Sequence, residues 1–219
     1  MLGLRRGHTL QVNTNKRFTW LSRLRPPIAR SYQLIHAAFI DVLCKLRGNP
    51  IKIIHIDPKS VTKTVSRYDV SLSSVTVKHF GKIENGEWDL DGYEVDTYGL
   101  IYPILNQYLK NIPLNDIPEF NTNLEYIRTG GQPDNCRNAS DYRKKWQKII
   151  GLCEQVKQDG YKTQSQLSCG RPLNEVRVQI SRDGKYLFED GIHRLIIAQL
   201  LDIPRIPVIV TRIHANVKL

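Results

Sequence analysis

One stretch near the end of the chain constrains the fold more than any other: Glu175 to Val210, EVRVQISRDGKYLFEDGIHRLIIAQLLDIPRIPVIV. Val176, Val178 and Ile180 alternate with Arg177 and Gln179, the period of a half-buried strand. Asp183-Gly184 is a tight-turn signal, so residues 175–189 read as a hairpin whose second strand is Lys185 to Glu189. Asp190-Gly191-Ile192 leaves room only for a sharp turn. His193 to Leu201 lacks Gly and Pro and is rich in Leu, Ile and Ala, which predicts a buried helix stopped by Ile203-Pro204. Ile206 to Val210 predicts one more apolar strand. Strand, turn, helix and strand in this order place the chain in the mixed α/β class, with a small sheet and helices.

The strand-to-helix turn is the candidate site. A helix start carries backbone N–H groups without intrahelical partners and a positive partial charge. Gly191 lets an anion approach the backbone, and His193 and Arg194 add donors in the first helical turn, which together suit phosphate. The competing reading is a plain turn whose His and Arg face solvent. On the binding reading, Arg194 is an exposed fork for phosphate oxygens, so Arg194→Ala is expected to leave the fold intact. His193 is expected to contribute more as pH falls toward about 6.

The residues Asp190-Gly191-Ile192-His193-Arg194, then Ala198, then Ile206-Pro207-Val208, resemble the core of the ParB/sulfiredoxin-like family. The resemblance runs back to about Ser140, through a helix ending in Asp159-Gly160-Tyr161 and then Gln164. It extends to an Ile-Asp-Pro strand at Ile51 to Pro58 followed by Lys59-Ser60-Val61. It implies a nucleoside di- or triphosphate, with Mg²⁺, cradled by Gly191, Ile192, His193 and Arg194. Asp190 or Glu189 would bind the metal or accept a proton. The family includes DNA-partition CTPases, ATP-using sulfiredoxins and ADP-using serine kinases, so it implies no single reaction. Where sulfiredoxins carry a catalytic Cys this chain has Ile192, which argues against thiol repair. Only Thr211 to Leu219 follow the last strand, so the helix-turn-helix DNA reader of partition proteins is not expected here. A nuclease needs clustered metal-binding acids, and only Glu189, Asp190 and the Glu87-Asp89-Asp91 group offer any.

Asn85-Gly86-Glu87-Trp88-Asp89-Leu90-Asp91 is the second notable stretch. It resembles a Gly-Asp-Trp-Asp-like element of uncharacterised ParB-like proteins, with Glu87 in place of the first Asp. Trp88 and Asp89 are expected beside the Gly191 turn as a second site, the ring stacking a base and the carboxylate binding metal or substrate. The alternative is a Trp that anchors a loop to the core.

Net charge is +11 over 219 residues, which favours an anionic partner. The charge is uneven: residues 1–40 hold Arg5, Arg6, Lys16, Arg17, Arg23, Arg25 and Arg30 and no acid before Asp41. Residues 1–33 therefore read as an arm for nucleic acid, a contact for an acidic membrane surface, an organelle-targeting segment, or a solvated extension. Leu34 to Leu46 predicts an amphipathic helix too short and too charged to span a bilayer. Residues 1–47 form the predicted extension and 48–219 the predicted domain. Cys44, Cys136, Cys153 and Cys169 lack metal-ligand spacing and no signal peptide is visible, so reduced thiols and a cytoplasmic location are expected.

Between these stretches, Val75, Val77 and His79 alternate as a strand would. A helical insertion is expected at about 94–130. Its first helix is capped by Asp96 or Thr97, with Tyr98, Ile101, Tyr102, Leu105 and Leu109 on one face and a kink at Pro103. Its second is capped by Asp116 and ends at Gly130-Gly131. Ser140 is expected to cap the clearest helix, 140–159, whose Tyr142, Trp146, Ile149, Ile150, Cys153 and Val156 form a core stripe.

Two functions fit. One is nucleotide-dependent phosphoryl transfer to a small substrate. The other is a nucleotide-gated DNA-binding or scaffolding protein that uses the basic arm.

Overall fold

The computed structural model describes residues 26–46, 48, 51–64, 81–90, 92–97, 100–167 and 173–217. The basic residues up to Arg25, the alternation at Val75, Val77 and His79, and Asp91, Tyr98 and Cys169 lie outside the described residues.

The expected α/β class is the observed one: among the described residues, five α-helices pack with a six-stranded mixed sheet. Strand β6 (Ile206–His214) is the spine. On one side it runs parallel to β4 (Val176–Ile180), which pairs antiparallel with β5 (Tyr186–Asp190). Beyond β5 lies the short parallel strand β2 (Lys63–Thr64). On its other side β6 meets β1 (Lys52–Ile56), antiparallel, and then β3 (Lys82–Glu84), parallel. The hairpin, the helix and the closing strand therefore stand where periodicity put them, but β6 is longer than 206–210.

One face of the sheet carries the main core. Val176, Val178, Ile180, Phe188, Val208, Val210 and Ile213 are buried there. Against them pack α2 (Ile101–Leu109), α3 (Pro118–Arg128), α4 (Ala139–Asp159) and α5 (Ile192–Leu200). The stripe read on α4 is real: Tyr142, Trp146, Ile149, Cys153 and Val156 are buried, while Ile150 is half-buried. Phe120 stacks on Tyr142 at 5.2 Å and meets Trp146 edge-on at 6.3 Å, arrangements that the ring quadrupole favours. Helices α2 and α3 share this core through Ile101, Ile104, Leu105, Phe120 and Leu124, so they are part of the main core.

Several local expectations need correction. Asn138, not Ser140, caps α4, its side chain accepting from the Asp141 N–H at 2.9 Å. Helix α2 starts after Leu100, with no side-chain cap, and Asp96 and Thr97 belong to a 3-10 turn before it. Pro103 sits in the first turn of α2, where its missing N–H costs no helix bond. Asp116 ends a 3-10 turn, and Ile117 precedes α3.

The second face corrects a larger reading. Every residue of β4 is buried, Arg177 and Gln179 included. Helix α1 (Pro26–Leu46) covers part of that face, with Ile40 and Cys44 on Ile209 beside Ile51 and Leu173. Polar groups fill the rest: Gln179 donates to Glu189 at 3.0 Å, and the Thr211 hydroxyl donates to the same oxygen. Alternation of polar and apolar residues marked two faces correctly. It did not distinguish a solvated polar face from a buried one, in which Gln179 Nε2 is engaged while its Oε1 has no hydrogen-bond partner. Among the described residues no helix is long and apolar enough to cross a membrane.

Candidate functional site

The turn at Gly191 lies at the end of β5, where the chain leaves the sheet for α5. Because β5 runs antiparallel to β4, this end sits against the start of β4. Gly191 is the residue before α5, with φ 92° and ψ 29° in the left-handed region. A Cβ there would lie 3.0 Å from the Val176 Cα and 3.3 Å from its Cγ2. Both the dihedral and the crowding favour glycine. The first intrahelical bond is Leu195 N–H to Gly191 O at 3.1 Å. The backbone N–H groups of Ile192, His193 and Arg194 thus have no intrahelical acceptor, and no side chain caps them.

The side chains around the turn fall into ion pairs. Asp190 Oδ2 meets the Arg177 guanidinium at 3.2 Å while its Oδ1 accepts the Gly191 N–H at 2.8 Å. The Asp190 side chain is 61% exposed and Arg177 is buried. Arg194 NH1 donates to Glu175 Oε2 at 2.7 Å, its NH2 to the Lys162 carbonyl at 2.7 Å, and its plane lies 4.6 Å from the Tyr161 ring centroid. The other Glu175 oxygen accepts the Gln164 N–H at 2.6 Å. Lys145 pairs with Asp134 at 2.8 Å.

Arg194 therefore differs from its expected role. Its side chain is only 12% exposed and its partner Glu175 only 4%. It ties the loop after α4 to β4 and α5, and Arg194→Ala is not a fold-neutral change. It also lines a small, shallow cleft of about 20 Å³ with Leu152, Val156, Gly160, Lys162 and Leu167. The Ile192 side chain belongs to the core, which leaves only its N–H for the turn.

His193 is half-buried, and its Nε2 is buried with no hydrogen-bond partner. Burial pushes its pKa below the ordinary value, and the Lys145 charge adds to this against Asp134 and Asp190. The expected rise of a His193 cation near pH 6 is thus displaced to lower pH. His193 meets an incoming group first as a neutral imidazole.

Glu189 is engaged by Gln179 and Thr211 on the α1 side of the sheet. Asp190 is engaged by Arg177 and Gly191. Among the described residues, no group of three or more His, Cys, Asp or Glu side chains is placed to hold a metal ion.

Trp88 and Asp89 stand elsewhere. Asp89 holds Arg182, just beyond the far end of β4, through Nε at 3.0 Å, NH2 at 2.7 Å and the backbone N–H at 2.8 Å. Trp88 lies under Arg212 at 4.6 Å and beside His214 at 5.8 Å. Gly191 abuts Val176, at the near end. At roughly 3.3 Å per strand residue the two places are on the order of 15 Å or more apart. The physical reason is the hairpin: Asp89 is fully used in latching its turn, so the loop-anchor alternative describes Trp88 and Asp89, and they form no part of the Gly191 site.

Arg177, Glu175, Lys145, Asp134 and Tyr161 were missed in the sequence. Arg177 and Glu175 had a signal, since they flank a core strand residue that touches the turn. Lys145 and Asp134 had none, since tertiary packing alone brings them to His193. Comparison of the chain with family models, curated proteins and solved structures finds no match.

Proposed function

We propose that the chain binds nucleotide phosphates at the Gly191 turn. One observation carries the reading: the start of α5 presents three backbone N–H groups without intrahelical acceptors, behind a glycine whose conformation and crowding disfavour any side chain, beside the buried, unpartnered Nε2 of His193. Among the described residues, Arg177, Arg194 and Lys145 at the turn are already paired, so phosphate is met there chiefly by these donors and the helix dipole. The sequence resemblance to ParB/sulfiredoxin-like proteins points to the same turn.

The enzyme form of this reading is phosphoryl transfer to a small hydroxyl compound. Such transfer depends mainly on positioning and charge neutralisation. Asp190, the exposed carboxylate at the turn, is the residue that would accept the hydroxyl proton.

The test is calorimetry and thermal shift with ATP, ADP, CTP and GTP, with and without Mg²⁺, on wild type and folded Gly191→Ala. Binding by wild type that is lost in the variant supports the reading. No binding of any nucleotide, or equal affinity in the two proteins, ends it. Nucleotide consumption only when a hydroxyl compound is added separates transfer from binding alone.

A further inference from the structure

We propose that α1 docks the protein on an anionic lipid bilayer surface, with the helix lying in the interface. The helix has two apolar sides. Ile40 and Cys44 bury one of them on Ile209. On the other, Ile35, Phe39, Val42 and Leu46 are 69%, 60%, 51% and 78% exposed. Their spacing of four, three and four residues is that of one continuous helical stripe. At 1.5 Å per residue it extends about 17 Å, and Leu34, 48% exposed, flanks it. Nothing among the described residues covers the stripe.

Charge identifies what does. The chain up to Arg30 carries seven Lys or Arg and no acid before Asp41, so a strongly cationic segment leads directly into the apolar stripe. Lys45, at its other end, pairs with Asp41 at 2.7 Å, so the excess positive charge is on the N-terminal side of the stripe. Apolar side chains beside a basic run match an interface that offers both acyl chains and negative headgroups. Nucleic acid satisfies the cations but leaves Ile35 and Phe39 in water. A neutral apolar partner satisfies the stripe and leaves the cations unused. Ile40 and Cys44 hold the opposite side of α1 on the sheet, so the helix lies along a surface instead of crossing it, consistent with a charged helix of this kind.

The test is co-sedimentation of the full chain with vesicles of phosphatidylcholine alone, or of two parts phosphatidylcholine to one part phosphatidylglycerol, at about 0.1 M salt, where the Debye length is about 10 Å. Binding to the anionic vesicles only is expected. The double variant Ile35→Ser, Phe39→Ser is expected to fall to the level seen with phosphatidylcholine alone, with an unchanged melting temperature and an unchanged gel-filtration position. No binding to the anionic vesicles overturns the proposal. Undiminished binding by the variant overturns it too, since the attraction is then electrostatic alone. A variant that melts earlier, or that dissociates a wild-type dimer, shows the stripe to be covered by this chain or a second copy, and equally overturns it.

Discussion

A glycine turn lies against each end of strand β4, and the two share ingredients and finish differently. At the far end, Gly184 has φ 77°, and a Cβ there would meet nothing within 4 Å. Ser181 and Lys185 close that turn by backbone and hydroxyl hydrogen bonds near 3.0 Å. Asp89, its side chain 1% exposed, takes up the Nε, NH2 and backbone N–H of Arg182. At the near end, Gly191 is crowded by Val176, its ion pairs are complete, and yet the helix donors and the His193 Nε2 remain unclaimed. Charge is abundant at both ends. What separates them is which polar groups are left over after folding, and that is a better guide to a binding site than the presence of Arg or Asp.

The sharpest way to break this comparison is to remove a partner from the near end. Glu175→Ala leaves the largely buried Arg194 side chain without its carboxylate and frees the Gln164 N–H. Loss of one member of a buried pair costs about 3–5 kcal/mol. Urea unfolding should show that loss, and a change near zero would mean that Arg194 is free to face ligand after all.

The glycines come next. Gly191→Val places a branched side chain at positive φ and against the Val176 backbone, a strained conformation costing about 1–3 kcal/mol before the clash is added. Gly184→Ala meets the dihedral penalty alone, about 1–2 kcal/mol. Thermal unfolding should therefore rank Gly191→Val below Gly184→Ala, and nucleotide binding should fail only in the former. Equal melting temperatures would remove the steric part of the distinction.

A smaller effect is expected from Asp89→Asn. The carboxylate's burial raises its pKa, but the Arg182 hydrogen bonds outweigh that and hold it below the ordinary carboxylate value. A depressed carboxylate pKa contributes stability above the unfolded value near 3.9, lost as pH falls through the folded one. The variant should thus lose stability at neutral pH and show a shallower acid transition. Arg182 is partly exposed and rehydrates, so the loss should stay below that of Glu175→Ala. Nucleotide binding should not change; a parallel loss of binding would mean that the two ends are coupled.

How much of this was legible follows from how local each cause is. The hairpin, α5 and α4 were readable because their signals, Asp183-Gly184, an unbroken apolar run and a helical stripe, lie within the elements themselves. Gly191 was readable as a helix start. The roles of Arg194 and Trp88 were not, because each is set by a partner distant in sequence: Glu175 and the Lys162 carbonyl for one, Arg212 and His214 for the other. A helix-start arginine looks the same whether it faces solvent or a buried carboxylate. Likewise the Arg177 and Gln179 alternation marked a polar face, and only α1 and the Thr211–Glu189 contact show that it is closed.

The smallest effect is the most specific to the near end. Burial and the Lys145 charge lower the His193 pKa, so the unfolded chain binds the proton more readily than the folded one. Stability then rises with pH across the window between the folded pKa and about 6.5, the unfolded value. As pH falls below about 6.5, wild type should lose stability until the folded pKa is passed. His193→Gln should be flatter over that window, with the carboxylate transition at lower pH preserved. A phosphate group held at the α5 start reverses the sign, because its negative charge stabilises the imidazolium and raises the bound-state pKa. Nucleotide affinity in wild type should therefore increase as pH drops through the same window, with proton uptake seen as a buffer-dependent calorimetric enthalpy. His193→Gln should show neither. Proton uptake that persists in His193→Gln would assign the coupling to another group and leave the near end no different from the far one.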